Sequence, residues 1–132
     1  MPAVSFVATL VATLLAFALG ALWYGPLFGK QWIAAAGMTR AQIQQDVNPA
    51  QTYGATFLLT LVAAYTFGLY VGPNPGRSFA IVCGVVAGLC FVATSLATND
   101  LFERRSIALI LINGGYHVVR FTLIGVAFAF LG

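Results

Sequence analysis

The sequence predicts an all-α integral membrane protein, a four-helix transmembrane bundle with an interfacial first loop, forming one membrane domain over residues 1–132. Two observations carry this. Of the residues, 61% are hydrophobic and 7% charged, against roughly 25% charged in an ordinary soluble domain, so polar side chains cannot coat a water-soluble globule and the bilayer must act as solvent. Apolar stretches near the ~20 residues needed to cross a bilayer also recur four times, at about 3–24, 49–71, 78–98 and 106–131, separated by turn residues or charges.

The first stretch carries no charge before Lys30 and lacks the basic leading region of a secretion signal, so it reads as a retained helix. The second begins at Asn48-Pro49, a preferred N-cap followed by proline at a first helical position, where a missing N–H costs nothing. It ends where Gly72-Pro73-Asn74-Pro75-Gly76 imposes a turn. The third leads through a polar link over 99–105 into the fourth, and Asp100 with Glu103 has capping-box spacing, which would start the fourth helix inside that link.

The first loop, 25–47, is the longest. Phe28, Trp32 and Ile33 with Lys30 predict a short interfacial helix ending near Gly37, and Thr39 with Gln42 has capping-box spacing for a further polar turn. Trp23, Tyr24 and Trp32 suit the headgroup region, where an apolar ring and a polar N–H or O–H are both satisfied. The first and third loops hold Lys30, Arg40, Arg104 and Arg105, whereas the opposite side holds Arg77 alone among loop cations. The positive-inside rule therefore predicts a multi-pass protein of the cell membrane with cytoplasmic first and third loops and both termini outside.

Lipid tails are as apolar as leucine, so membrane helices associate through close packing and interhelical hydrogen bonds. Ala8, Ala12, Ala16 and Gly20 in the first span, and Ala80, Gly84 and Gly88 in the third, form small-residue stripes. These would meet each other or make a subunit contact. Thr52, Thr56 and Thr60 recur at helical spacing in the second span. Their hydroxyls either bond their own helix carbonyls or face a polar interior.

That interior would come from the fourth span, where Asn113, His117 and Arg120 share a helix face beside Gly114 and Gly115. Arg120 is costly at such depth, about 2.5 to 3.5 kcal/mol on insertion scales. The acids of the chain are Asp46, Asp100 and Glu103, none at its depth within a span. The stripe reads in two ways. It can be glue for the bundle, or a fixed positive charge with a titratable neighbour, suited to an anionic or polar ligand or to proton-coupled transport. Catalysis is not expected, since no acid lies in the helix of His117 and no nucleophile motif lies near it. The glycine-rich turn at 72–76 lacks the Lys-Ser/Thr of a phosphate loop.

No cofactor and no metal are expected: there is one histidine, and Cys83 and Cys90, seven residues apart, would lie about 10 Å apart along a helix, too far for a disulfide. A net charge of +3 spread over few side chains excludes a nucleic-acid footprint. The expected partners are the lipid bilayer and further copies in a homo-oligomer, with another membrane protein as a further candidate. The two halves show no internal repeat.

The run Gly20-Ala21-Leu22-Trp23-Tyr24-Gly25-Pro26-Leu27-Phe28-Gly29-Lys30-Gln31-Trp32 resembles the opening signature of the family of small bacterial membrane proteins called domain of unknown function 1761. Leu101-Phe102-Glu103-Arg104 is similar to the stretch before that family's fourth span, and Asn113, Gly115, Tyr116 and His117 match its Asn-x-Gly-Tyr-His pattern. The resemblance implies a four-helix membrane protein without assigned biochemistry. Its matching positions are Gly20, Trp23, Tyr24, Pro26, Phe28, Gly29, Lys30, Trp32, Asn113, Gly115, Tyr116 and His117, and Arg120 lies outside the pattern. The readings carried forward are an accessory or scaffold membrane protein and, alternatively, an oligomeric small-solute or anion transporter using the fourth-span stripe.

Overall fold

Helix α1 spans Phe6–Leu22 and begins at Ser5, whose Oγ accepts from the Ala8 N–H at 3.1 Å. It runs on into a π-helical turn, Trp23–Leu27, that contains Pro26. Proline brings no N–H and its ring crowds the carbonyl four residues back. The wider turn absorbs this, closing with Phe28 N–H donating to the Trp23 carbonyl five residues back at 2.8 Å. The chain then folds directly into α2, Gly29–Ala36. This is feasible only because Gly29 has no side chain, as a Cβ there would lie 2.8 Å from the Tyr24 carbonyl oxygen. Helix α2 stops at Gly37, whose φ of 70° is the left-handed conformation that glycine adopts cheaply.

The computed structural model describes residues 4–37 and 49–132. The polar turn expected at Thr39 and Gln42, the charges Arg40 and Asp46, and the Asn48 cap lie outside the described residues. Helix α3 spans Pro49–Val71. Helix α4 spans Arg77–Phe102, with a π-helical stretch at Ala87–Ala93, and α5 spans Ile107–Leu131. With α1 through Leu27, this gives four helices among the described residues that are long and apolar enough to cross a membrane.

One boundary differs from expectation. Helix α4 continues to Phe102 rather than ending at residue 98, and the Asp100–Glu103 capping box is not made. Ser106 caps α5 instead, its Oγ accepting from Leu109 N–H at 3.2 Å. The connection is thereby cut to a tight turn, with Arg104 at a φ of 59°.

The helices run up and down in sequence order, and α5 is their hub. It packs along the length of α4 and along α1, and α2 also rests on it. Helix α3 lies chiefly against α1 and touches α5 and α4 less. At one end Ser5 Oγ donates to the Leu131 carbonyl at 3.0 Å, and the start of α1, the end of α5 and the α3–α4 turn sit together. At the other, Ser106 Oγ donates to the Ala35 carbonyl at 3.4 Å, tying α2 to the α4–α5 turn.

The small-residue stripes do not form one shared interface. Ala8, Ala12 and Ala16 are buried in a core with Ala64, Phe67 and Val71 of α3 and Ile124, Ala127 and Phe128 of α5. Ala80, Gly84 and Gly88 seat α4 on the backbone of α5: a Cβ on Gly88 would lie 2.7 Å from the His117 carbonyl oxygen, and one on Gly125 would lie 2.6 Å from that of Ala80. Both stripes serve contacts within the chain because α5 lies between their helices. Large apolar side chains such as Leu14, Leu58, Leu59, Val62 and Phe91 face outward, as a protein solvated by lipid requires.

Candidate functional site

The polar side chains Asn113, Tyr116, His117 and Arg120 gather around the middle of α5, where α1, the turn after it and α3 supply their contacts. Nearest the α2 end, Tyr24 of the π-helical turn donates its hydroxyl proton to Asn113 Oδ1 at 2.7 Å. Beside it, Trp23 Nε1 donates to the Ile112 carbonyl at 2.9 Å, using the second lone pair of an oxygen already inside a helix. Glycines make room for Trp23 and Tyr116. A Cβ on Gly115 would stand 3.2 Å from the Trp23 ring, and one on Gly20 would stand 3.1 Å from the Tyr116 hydroxyl. The matching motifs at either end of the chain therefore meet.

Aromatic rings join these contacts into a cluster. Trp23 lies against Phe28 with centroids 4.6 Å apart, Tyr24 meets Trp32 edge-on at 5.3 Å and Tyr116 at 5.1 Å, and Tyr116 meets His117 at 4.9 Å. Offset and edge-to-face geometries of this kind add about 0.5–1.5 kcal/mol per pair beyond area burial. Trp32 reaches in from α2, whereas Lys30 points outward and is exposed, as is Pro26. The set acts as a clamp, holding the end of α1 and the interfacial helix onto α5.

Arg120, the fourteenth of the 25 residues of α5, lies deepest. Its guanidinium donates to Thr60 Oγ1 at 3.2 Å and sits over the Phe121 ring, 5.1 Å from the centroid. Thr60 is buried and at the same time donates its own proton to the Thr56 carbonyl at 2.7 Å, so both roles expected for the threonines fall on one residue. Thr56 does not reach the interior. It is exposed and bonds back to the Thr52 carbonyl at 2.7 Å, while Tyr53 and Phe57 of the same turns meet Phe17 of α1 edge-on. Nor do Asn113, His117 and Arg120 hydrogen-bond one another: Asn113 is taken by Tyr24, Arg120 by Thr60, and His117 Nδ1 is buried without a partner.

Among the described residues, the ion pair is Arg105 with Glu103 at 3.3 Å on the surface, and no carboxylate meets Arg120. No three of His, Cys, Asp and Glu come together there to hold a metal. Two concavities lie at the ends of the molecule, one lined by Ala35 to Gly37 and Glu103 to Ser106, the other by residues including Ser5, Gly68, Asn74 and Phe128, and the polar group lines neither. Beyond Arg120, towards the chain ends, α5 is buried at Ile124, Ala127 and Phe128. The arrangement is thus polar on one side of mid-depth and apolar on the other.

Sequence reasoning missed Ser5 and Ser106 as caps, although serine before an apolar run is the usual signal. It also missed the pairing of Tyr24 with Asn113, which no local pattern announces. A double-mutant cycle on Tyr24→Phe and Asn113→Leu, read by thermal unfolding in detergent, is expected to give a coupling of about 0.6 kcal/mol, up to about 1.7, the range for interhelical hydrogen bonds in membranes. Additive effects would show that the bond is not made.

No curated protein and no solved structure matched this chain. Residues 7–129 match the model of one family, described as "Protein of unknown function (DUF1761)". With both motifs in place and the match covering nearly the whole chain, the protein belongs to the DUF1761 family.

Proposed function

We propose that the protein is a small non-catalytic accessory or scaffold protein of the cell membrane, working as a homo-oligomer or beside another membrane protein. The observation that carries this reading is the clamp. The side chains of the two motifs are engaged with each other, Tyr24 with Asn113, Trp23 with the Ile112 carbonyl and Tyr116 with Gly20, which supports a part for them in building the molecule. In-membrane crosslinking followed by purification tests it. Recovery of a reproducible heteromer or oligomer, sensitive to substitutions on the lipid-facing side of α3, supports the reading. A monomer alone across crosslinkers overturns it.

The transporter reading draws support from Arg120, which has no carboxylate partner among the described residues. The apolar packing of Ile124, Ala127 and Phe128 beyond it speaks against a path through one chain. Proteoliposome flux of small anions no greater for the wild type than for a His117→Ala, Arg120→Ala double variant removes that alternative.

Loop charge supports one orientation. Lys30, Arg104 and Arg105 belong to one end of the bundle and Arg77 to the other, which argues for a cytoplasmic α2 end. A C-terminal alkaline phosphatase fusion is then expected to be active and a C-terminal green fluorescent protein fusion dark. The reverse pattern would invert the topology.

A further inference from the structure

We infer that the pocket of polarity around Arg120 is a binding site for a single oxyanion, a carboxylate or a phosphate. A guanidinium carries five N–H donors in a planar fork that fits two oxygens of one anion at once. One of these donors goes to Thr60, and among the described residues no acid neutralises the charge. Arginine side chains on a helix lean toward its N-terminus, which brings the group toward Tyr116 and His117, four and three residues before it on the same helix. His117 Nδ1 is buried beside it with no partner. A buried polar nitrogen left unpaired and an unneutralised charge at this depth both disfavour the folded state. One oxyanion would relieve both, accepting from the Arg120 fork and from the Nδ1–H of a neutral His117.

Thr60 has a defined part in this arrangement. Its proton is fixed on the Thr56 carbonyl, so its lone pairs face the guanidinium and hold one side of the fork still. The remaining N–H groups are thereby aimed at the ligand, which makes Thr60 a positioning residue.

The route of entry follows from the packing. Helix α3 meets α4 chiefly at Arg77–Val86, and the first turns of α3, including Thr52, Tyr53 and Thr56, are exposed. Beyond that stretch α3 has little contact with α4, and Asn113 to Arg120 of α5 are half-buried rather than enclosed. The oxyanion can therefore be the head of an amphiphile whose tail lies along the lipid-facing side of the bundle, or a free anion from water.

The test uses the full chain in a neutral maltoside detergent, with thermal unfolding read by tryptophan fluorescence. Palmitate and dipalmitoyl-phosphatidylglycerol serve as tailed oxyanions, acetate and inorganic phosphate as free ones, and methyl palmitate as the uncharged tail. A ligand that binds only the folded state raises the melting temperature in step with its occupancy. At least one oxyanion is expected to stabilise the wild type, with apparent affinity about tenfold or more weaker for Arg120→Gln and intermediate for Arg120→Lys. Thr60→Val, which keeps the charge and loses its aim, is expected to weaken binding while leaving the methyl palmitate response unchanged. Stabilisation by palmitate or the phospholipid alone assigns an amphiphile, and equal stabilisation by acetate or phosphate assigns a free anion. Identical shifts in the wild type, Arg120→Gln and Thr60→Val, or methyl palmitate matching palmitate, overturn the site. Should Arg120→Gln fail to fold, Thr60→Val and His117→Ala carry the comparison. The result is independent of whether crosslinking finds a partner, so the site and the accessory role stand or fall separately.

Discussion

Replacing Gly88 by leucine is expected to abolish the folded protein, because it removes the seat of α4 on α5. A Cβ at this position would stand 2.7 Å from the His117 carbonyl oxygen and 2.8 Å from Val118 Cα, both backbone atoms that cannot rotate aside. Four residues away Gly84 meets the Phe121 carbonyl, and Gly125 meets Ala80 and Gly84 from the other helix. The two backbones interlock over several turns, so one forced separation is transmitted along the whole contact. Adding a methylene to a packed core costs about 1–3 kcal/mol. Gly88→Ala should fall in that range, and leucine should exceed the stability of so small a domain. Detergent extracts heated and then resolved by size exclusion give the measurement. The control is Gly54→Ala in the exposed first half of α3, where an added Cβ meets nothing within 4 Å. That variant should match the wild type or gain up to about 1 kcal/mol. A Gly88→Leu protein as heat-resistant as the wild type would show that α4 does not sit where the structure has it.

The second large effect is expected at Trp23. Its ring lies on Phe28, touches Tyr116 and fills the space left by Gly115, while its N–H is bonded to the Ile112 carbonyl. Truncation to alanine removes the central wedge of the clamp and should cost about 3–5 kcal/mol, the usual range for a packed tryptophan. Trp23→Phe keeps most of the ring and removes the donor, and should cost about 1 kcal/mol. The same unfolding assay separates the two. Equal losses for alanine and phenylalanine would assign the stabilisation to the hydrogen bond rather than to packing.

The four helices were legible because hydropathy reports what the hydrocarbon accepts, and α3 and α5 begin and end within a residue or so of where composition places them. Hydropathy does not report where a helix stops, however. Asn99 and Asp100 look like a link, yet once a helix has left the hydrocarbon, polar residues continue it without penalty, and α4 runs on to Phe102. The π-helical turn at Trp23–Leu27 had one local sign, Pro26 inside an apolar run, but its form depends on Gly29 folding back against the Tyr24 carbonyl. The stripe on α5 was legible as a face and not as a network. Spacing puts Asn113, His117 and Arg120 together, but the partners of Asn113 and Arg120 come from the turn after α1 and from α3, 89 and 60 positions away. Thr56 and Thr60 look equivalent at helical spacing. They differ because Thr60 alone is buried where Arg120 reaches it, a property of packing rather than of either residue.

The central position of α5 also sets an order of events. It is the last of the four helices to leave the ribosome, yet α1 and α4 find most of their helix–helix contact on it. Until it arrives, the glycine face of α4 and much of the alanine face of α1 have only lipid beside them. Biogenesis therefore has a waiting period, in which three inserted helices remain loosely associated. A chain interrupted before residue 107 would stay in that state and present the cell's membrane proteases with a substrate that cannot finish assembling.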